Sequence, residues 1–252
     1  MPNWCTNRLT VWDKTGEADI QTFIDAITLP KDYEDEYDLT LPYPTPEILV
    51  GTRSPKMERE KVEEMRADRD AGGFLAGENY KGATQDGSWV TDEYLQEQLD
   101  QIEQGEKAEK ETGFDNWYDW NITHWSTKWP PDVYSVEVNR LTAIIGYQTA
   151  WAPAEKLVRQ LSELYPNLVF VEAYLEEGMG FWGASTYVGG ERPHEYCGGS
   201  DAQLDALNER YSEANCAEEG EDEAYVLVSE RWMALMDLAE ANAIAMGEIV
   251  TA

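Results

Sequence analysis

Three features of the sequence predict an α+β fold built on a split βαβ antiparallel sheet. Residues 6–12, Thr-Asn-Arg-Leu-Thr-Val-Trp, largely alternate polar and apolar side chains, as a half-buried strand does. Ile20, Phe23, Ile24 and Ile27 then recur at helical spacing. A second strand, helix and strand pattern returns between Tyr134 and Val188. The predicted order is β-α-β, insertion, β-α-β-β. That order approaches the ferredoxin-like arrangement, in which two helices cover one face of an antiparallel sheet.

Each element has a local reason. Thr15-Gly-Glu opens the first helix, and Leu39-Thr-Leu reads as a short second strand ended by Pro42, Pro44 and Pro46, since proline cannot donate to a ladder. Lys56 to Asp70 is dense in mixed charge, Ala71-Gly-Gly breaks it, and Thr91 to Glu111 resumes with Tyr94, Leu95, Leu99 and Ile102 as a narrow apolar stripe, so an inserted helical hairpin is expected. Tyr134, Val136 and Val138 alternate with polar residues and lead into Ala143-Ile-Ile-Gly-Tyr, a strand or a bent pair of strands. Pro153 suits a first helical turn, with Leu157, Val158, Leu161 and Leu164 on one face. Leu168 to Leu175 is a buried-type strand, and Gly180 to Val188 follows it across Glu176-Glu-Gly. The predicted organisation is a first half-core over 1–50, a charged helical insertion ending in a tryptophan-rich motif over 51–130, a second half-core over 131–190, and an acidic helical region over 191–252. That last region holds Trp232, Leu235, Met236, Ala239, Ala243 and Met246 at helical spacing, which predicts a docked helix.

The charge balance is unusual. Fifty Asp and Glu face nineteen Lys and Arg across 252 residues, a formal net charge of −31. Such a surface repels nucleic-acid phosphates and anionic membranes, so direct binding of either is not expected, whereas a cationic protein is attracted. The same charge also suits a purely solvating surface. Three cysteines, Cys5, Cys197 and Cys216, form an odd set without C-x-x-C spacing, which argues against a disulfide framework and points to the reducing cytoplasm. Neither a leader's apolar stretch nor a spanning run of about 20 apolar residues is present.

Candidate chemistry is sparse. Pro193-His-Glu-Tyr-Cys197 lacks the i, i+4 histidine pair and the second cysteine of a zinc site, so no metal is expected there. Gly178-Met-Gly-Phe-Trp-Gly183 stands between two strands, where no helix N-terminus waits for a phosphate, and reads as a hairpin. No cofactor is expected. Asp119, His124 and Lys128 form the one imaginable acid-base group, but no nucleophile or oxyanion device accompanies them. The surrounding Trp117, Trp120, Trp125 and Trp129 read instead as an aromatic packing motif, with Trp125 and Trp129 expected to be buried.

Two segments, Met1-Pro-Asn-Trp-Cys-Thr-Asn-Arg-Leu-Thr-Val and His124-Trp-Ser-Thr-Lys-Trp129, resemble the YubB-type or Api-like family of bacteriophage and plasmid proteins with a ferredoxin-like domain. Thr149-Ala-Trp-Ala-Pro153, Tyr165-Pro-Asn-Leu and Phe181-Trp-Gly183 are similar to its C-terminal region. The resemblance spans residues 1 to about 50 and 117 to 188. It implies a ferredoxin-like fold and a mobile-element origin, and it supplies no catalytic residues.

The function expected from these readings is binding: an accessory protein that inhibits a host defence or nucleic-acid-handling protein by occupying its basic groove, an anti-CRISPR-like acidic decoy in the host cytoplasm. The candidate contact residues are Asp92, Glu93, Glu97, Asp100 and Glu103 on the insertion, and Glu218, Glu219, Glu221, Asp222 and Glu223 near the end. The alternatives are a module that assembles, with itself or a partner, through its sheet edges, and an enzyme centred on His124.

Overall fold

The computed structural model describes residues 3–13, 16, 19–71, 90–176, 178–197, 230 and 233–245. In chain order the elements are β1 (Trp4–Asp13), α1 (Asp19–Ile27), a 3-10 turn (Glu47–Leu49), α2 (Arg59–Asp70), α3 (Asp92–Thr112), α4 (Trp117–Trp125), β2 (Asp132–Val138), β3 (Thr142–Ala150), α5 (Glu155–Leu164), β4 (Leu168–Glu176), β5 (Phe181–Val188) and β6 (Glu191–Cys197). A further helix, α6, runs over 233–245. The chain divides into two compact units, one of residues 1–44 and 122–252 and the other of 45–121, with the boundary inside α4.

In the first unit the strands lie in the order β2-β3-β1-β4-β5-β6, every neighbour antiparallel. Strands β2-β3-β1-β4 with helices α1 and α5 are the ferredoxin-like βαββαβ unit, and β5 and β6 extend it. Period-2 alternation divides β1 between two faces. Cys5, Leu9 and Val11 are buried beside Ile145 and Phe170. On this face Phe23 of α1 meets Phe170 and Tyr165 edge-on, at ring centroids of 5.4 and 5.3 Å. On the opposite face Val171, Ala173, Leu175 and Ala184 pack against Met236, Ala239 and Ala243 of α6, with Trp12 and Trp182 at the rim. The small alanines let the helix approach closely. Arg8, also on this face, reaches Asp237 at 2.7 Å and pairs with Glu240, which in turn accepts from Thr10. Of the helix expected from the spacing of Trp232, Leu235, Met236, Ala239, Ala243 and Met246, the part over 233–245 is present and docked, and Trp232 and Met246 lie outside the described residues.

Two expectations are corrected. Leu39-Thr-Leu is not a strand: it forms turns, with one isolated bridge nearby between Thr28 and Tyr37, and buries Leu39 outside any ladder. The second core strand is β2, so the insertion interrupts the chain between α1 and β2 instead of following a second strand. Strand β6 was not expected at all. It forms because Gly189 and Gly190 adopt φ of 57° and 81°, the left-handed pair that a tight two-residue hairpin requires, and Val188 pairs with Glu191 across it.

In the second unit α2 and α3 bury Val62, Met65, Val90, Leu95 and Ile102, flanked by Met57, Tyr94 and Leu99. Thr91 caps α3 by accepting from the Tyr94 amide at 3.1 Å, and Gly113 ends it with a φ of 81°. Gly105 lies so near the returning chain that a Cβ there would stand 2.9 Å from the Asp115 carbonyl oxygen.

Candidate functional site

The five candidate carboxylates on the insertion are all exposed on α3. Leu95, Gln98, Ile102, Gly105 and Ala108 form the buried stripe, which turns Glu93, Glu97, Asp100 and Glu103 outward. At 1.5 Å per residue, Glu93 to Glu103 spans about 15 Å, so these charges recur about every 5 Å along the helix. The row is not bare. Arg69 pairs with Asp92 at 2.8 Å, Arg53 with Glu97 at 2.7 Å, and Gln96 donates to Asp100 at 2.7 Å. The Glu93 carboxyl titrates below its usual range because its own backbone N–H and the Thr91 hydroxyl favour the anion. The insertion's arginines therefore offset part of the charge that counting acids along α3 suggested. The second cluster, Glu218, Glu219, Glu221, Asp222 and Glu223, lies outside the described residues.

The tryptophan motif splits in two. Trp120 and Trp125 are buried, and the Trp125 indole N–H donates to the Tyr43 carbonyl at 3.0 Å. Trp117 is half-buried, with its ring edge-on to Tyr118. Trp129 contradicts the expectation: it is 37% exposed. Ser126 takes a φ of 66°, which ends α4 after Trp125, so the two indoles do not share a helix face. Trp129 instead stands 6.3 Å from Trp4, with the Lys128 ammonium 4.3 Å from its ring centroid and 5.6 Å from that of Trp151. Trp4 and Trp151 are each 44% exposed. Trp151 also has a left-handed backbone, with a φ of 70°, held by its N–H bond to the Asn3 carbonyl at 2.9 Å. A left-handed conformation costs a residue with a Cβ about 1–2 kcal/mol.

The imagined acid-base group is distributed over different neighbours. Asp119 accepts from Asn116 at 2.7 Å near the start of α4, the His124 ring stands 6.2 Å from that of Tyr43, and Lys128 lies over the indoles. His124 also borders a cleft of about 350 Å³ with Lys156, Arg159, Glu163 and Gly190, a lining of both charge signs. Within it Arg159 is anchored through a 2.5 Å bond to the Gly190 carbonyl. Among the described residues no three Asp, Glu, His or Cys side chains gather as a metal-binding group. His194 and Cys197 lie on β6.

One polar site escaped the sequence reading. Glu172, fully buried on β4, accepts from the Tyr147 hydroxyl at 2.5 Å, the Ala154 amide at 3.0 Å and the Tyr187 hydroxyl at 3.5 Å. Ala154 has no side-chain cap to offer α5, so the carboxyl supplies one from the sheet. Burial pushes the Glu172 carboxyl up to about 7, against the opposing pull of the Tyr147 hydroxyl and the Ala154 amide. Burial likewise raises the neighbouring Cys5 thiol, helped by the charge of Glu172, which removes thiolate chemistry at neutral pH. The available signal was a Glu at the centre of an apolar run, Val169-Phe-Val-Glu172-Ala.

Residues 124–217 match the family model described as a ferredoxin-like domain in Api92-like protein. No curated protein matches the chain. A solved structure, protein api92 from Yersinia pseudotuberculosis, is 9% identical over 79% of this chain and 99% of its own, with a TM-score of 0.38. Over residues 124–217, which hold β2 to β6, this chain is therefore similar to the ferredoxin-like domain of Api92-like proteins, in agreement with the observed sheet.

Proposed function

We propose that this chain is a binding protein that engages a cationic partner protein through the outward carboxylates of α3. The observation that carries the reading is the row Glu93, Glu97, Asp100 and Glu103, exposed on one face of α3 in a chain of net charge −31. One carboxylate about every 5 Å, with Glu97 shared with Arg53, is sparser than duplex DNA, at one charge per ~1.7 Å, and closer to a single strand at ~3.4 Å. A groove that holds one nucleic-acid strand is thus a better fit than one that clasps a duplex. Such grooves belong to nucleases and guided effectors, so the specific form of the proposal is an anti-defence decoy carried by a mobile element, in keeping with the family resemblance. Long-range attraction would speed encounter.

The assembly alternative draws less support from the sheet edges. Strand β2 carries a register shift between Val133 and Ser135, and β6 contains Pro193; both features discourage strand addition. The test of the decoy reading is the triple variant Glu93→Lys, Asp100→Lys, Glu103→Lys, which spares the Arg-paired Asp92 and Glu97. With the partner captured from host lysate at low salt, the variant should keep its melting temperature and lose binding by at least tenfold, and single-stranded DNA or RNA should displace the wild type. Undiminished binding by the variant with no displacement by nucleic acid would sink the proposal.

A further inference from the structure

We infer that the tryptophan patch formed by Trp4, Trp129 and Trp151 around Lys128 is a docking site for an arginine-bearing segment of the partner protein. The inference rests on the reading above that the partner is cationic. Three indoles stand 37 to 44% exposed together at one end of the sheet, where β1 begins and β3 ends. Exposed tryptophans in a group are the side chains that dominate binding at protein interfaces. The described residues contain two non-glycine positions with left-handed φ, Ser126 and Trp151, and both shape this patch. Ser126 swings Trp129 away from the buried Trp125, and the turn at Trp151 presents its ring beside Lys128. Backbone strain of this kind clusters at binding and switch sites.

Chemistry chooses the occupant. The negative face of an indole attracts a cation, and the protein demonstrates this itself by setting the Lys128 ammonium 4.3 Å over the Trp129 ring. Lys128 also stands 5.6 Å from the Trp151 ring centroid, and the exposed parts of Trp4 and Trp151 are the ring surface that a further cation would use. Guanidinium suits it best, because it is planar, stacks on indoles and gives up hydration more readily than ammonium. The chain's overall net charge of −31 favours a cationic segment over a nucleic-acid strand.

The experiment uses the full chain with ¹⁵N-labelled indoles and a tetra-arginine peptide as the probe. Of the ten tryptophans, Trp4, Trp129 and Trp151 should show saturable indole N–H shifts, and the pair Trp4→Leu with Trp151→Leu, which keeps apolar bulk without the ring, should weaken binding about tenfold. Lys128→Ala removes the resident cation and should tighten binding several-fold, a readout that survives if the leucine variant fails to fold. The α3 triple-lysine variant separates the two ideas. If it lowers overall affinity while these indole shifts persist, both readings stand. If the indoles never move but the triple variant still weakens binding, the patch is wrong and the α3 reading survives. Equal shifts of the same three indoles by oligo-dT or by cellohexaose would overturn the arginine assignment in favour of base or sugar stacking.

Discussion

Replacing Glu172 by Gln should change how stability depends on pH, in a direction set by the burial of that carboxyl. In the folded chain it titrates at about 7, against 4.5 for an unperturbed Glu. Below pH 4.5 it is protonated in both states and contributes no pH dependence. Between 4.5 and 7 the unfolded chain has lost the proton that the folded chain still holds, so folding stability declines as pH rises, and above 7 the loss is complete. The gap between 4.5 and about 7 corresponds to about 3 kcal/mol, at about 1.4 kcal/mol for each tenfold change in proton affinity. Gln does not titrate and still accepts from Tyr147 and Ala154 through its amide oxygen. Urea unfolding of both proteins from pH 4.5 to 7.5 isolates the effect, because the remaining carboxylates titrate alike in each and cancel in the difference. Relative to wild type, Glu172→Gln should gain about 3 kcal/mol across that range. Parallel profiles would refute the reasoning and place the charged carboxylate comfortably among its three donors.

Two further outcomes follow from packing. Trp125→Ala removes a buried indole and its bond to the Tyr43 carbonyl, and should cost about 3–5 kcal/mol by thermal or chemical unfolding, whereas Trp129→Ala at 37% exposure should cost about 1 kcal/mol or less; equal losses would show that the motif acts as one packed block. Gly105→Ala would set a Cβ 2.9 Å from the Asp115 carbonyl oxygen, so the 45–121 unit should lose about 1–3 kcal/mol despite the better helix propensity of alanine, read by hydrogen exchange along α3.

Much of the ferredoxin-like core was legible because burial imposes a period. Ile20, Phe23, Ile24 and Ile27 on α1 and Leu157, Val158 and Leu161 on α5 mark their inner faces and are buried, whereas Leu164, expected on the same face of α5, is 50% exposed at the helix end. Thr91 and Gly113 bracket α3 with ordinary capping chemistry. What stayed hidden depends on neighbours distant in sequence. Strand β6 depends on the left-handed Gly189-Gly190 turn, and Pro193 within the strand is itself a poor strand former. Trp129 looked like a core residue because spacing cannot reveal that Ser126 turns left-handed. Asp92 and Glu97 looked unpaired because their partners Arg69 and Arg53 lie 23 and 44 positions away. Glu172 became interpretable only once Ala154 and two tyrosines were seen to converge on it.

The central proposal, that a cationic partner sits on α3, is met most directly by carbodiimide footprinting of the chain free and in complex with a captured cationic partner. Modification of Glu93, Asp100 and Glu103 should fall severalfold in the complex, and raised salt should restore it as the charges are screened. Unchanged labelling of those three carboxylates in a saturated complex would contradict the account.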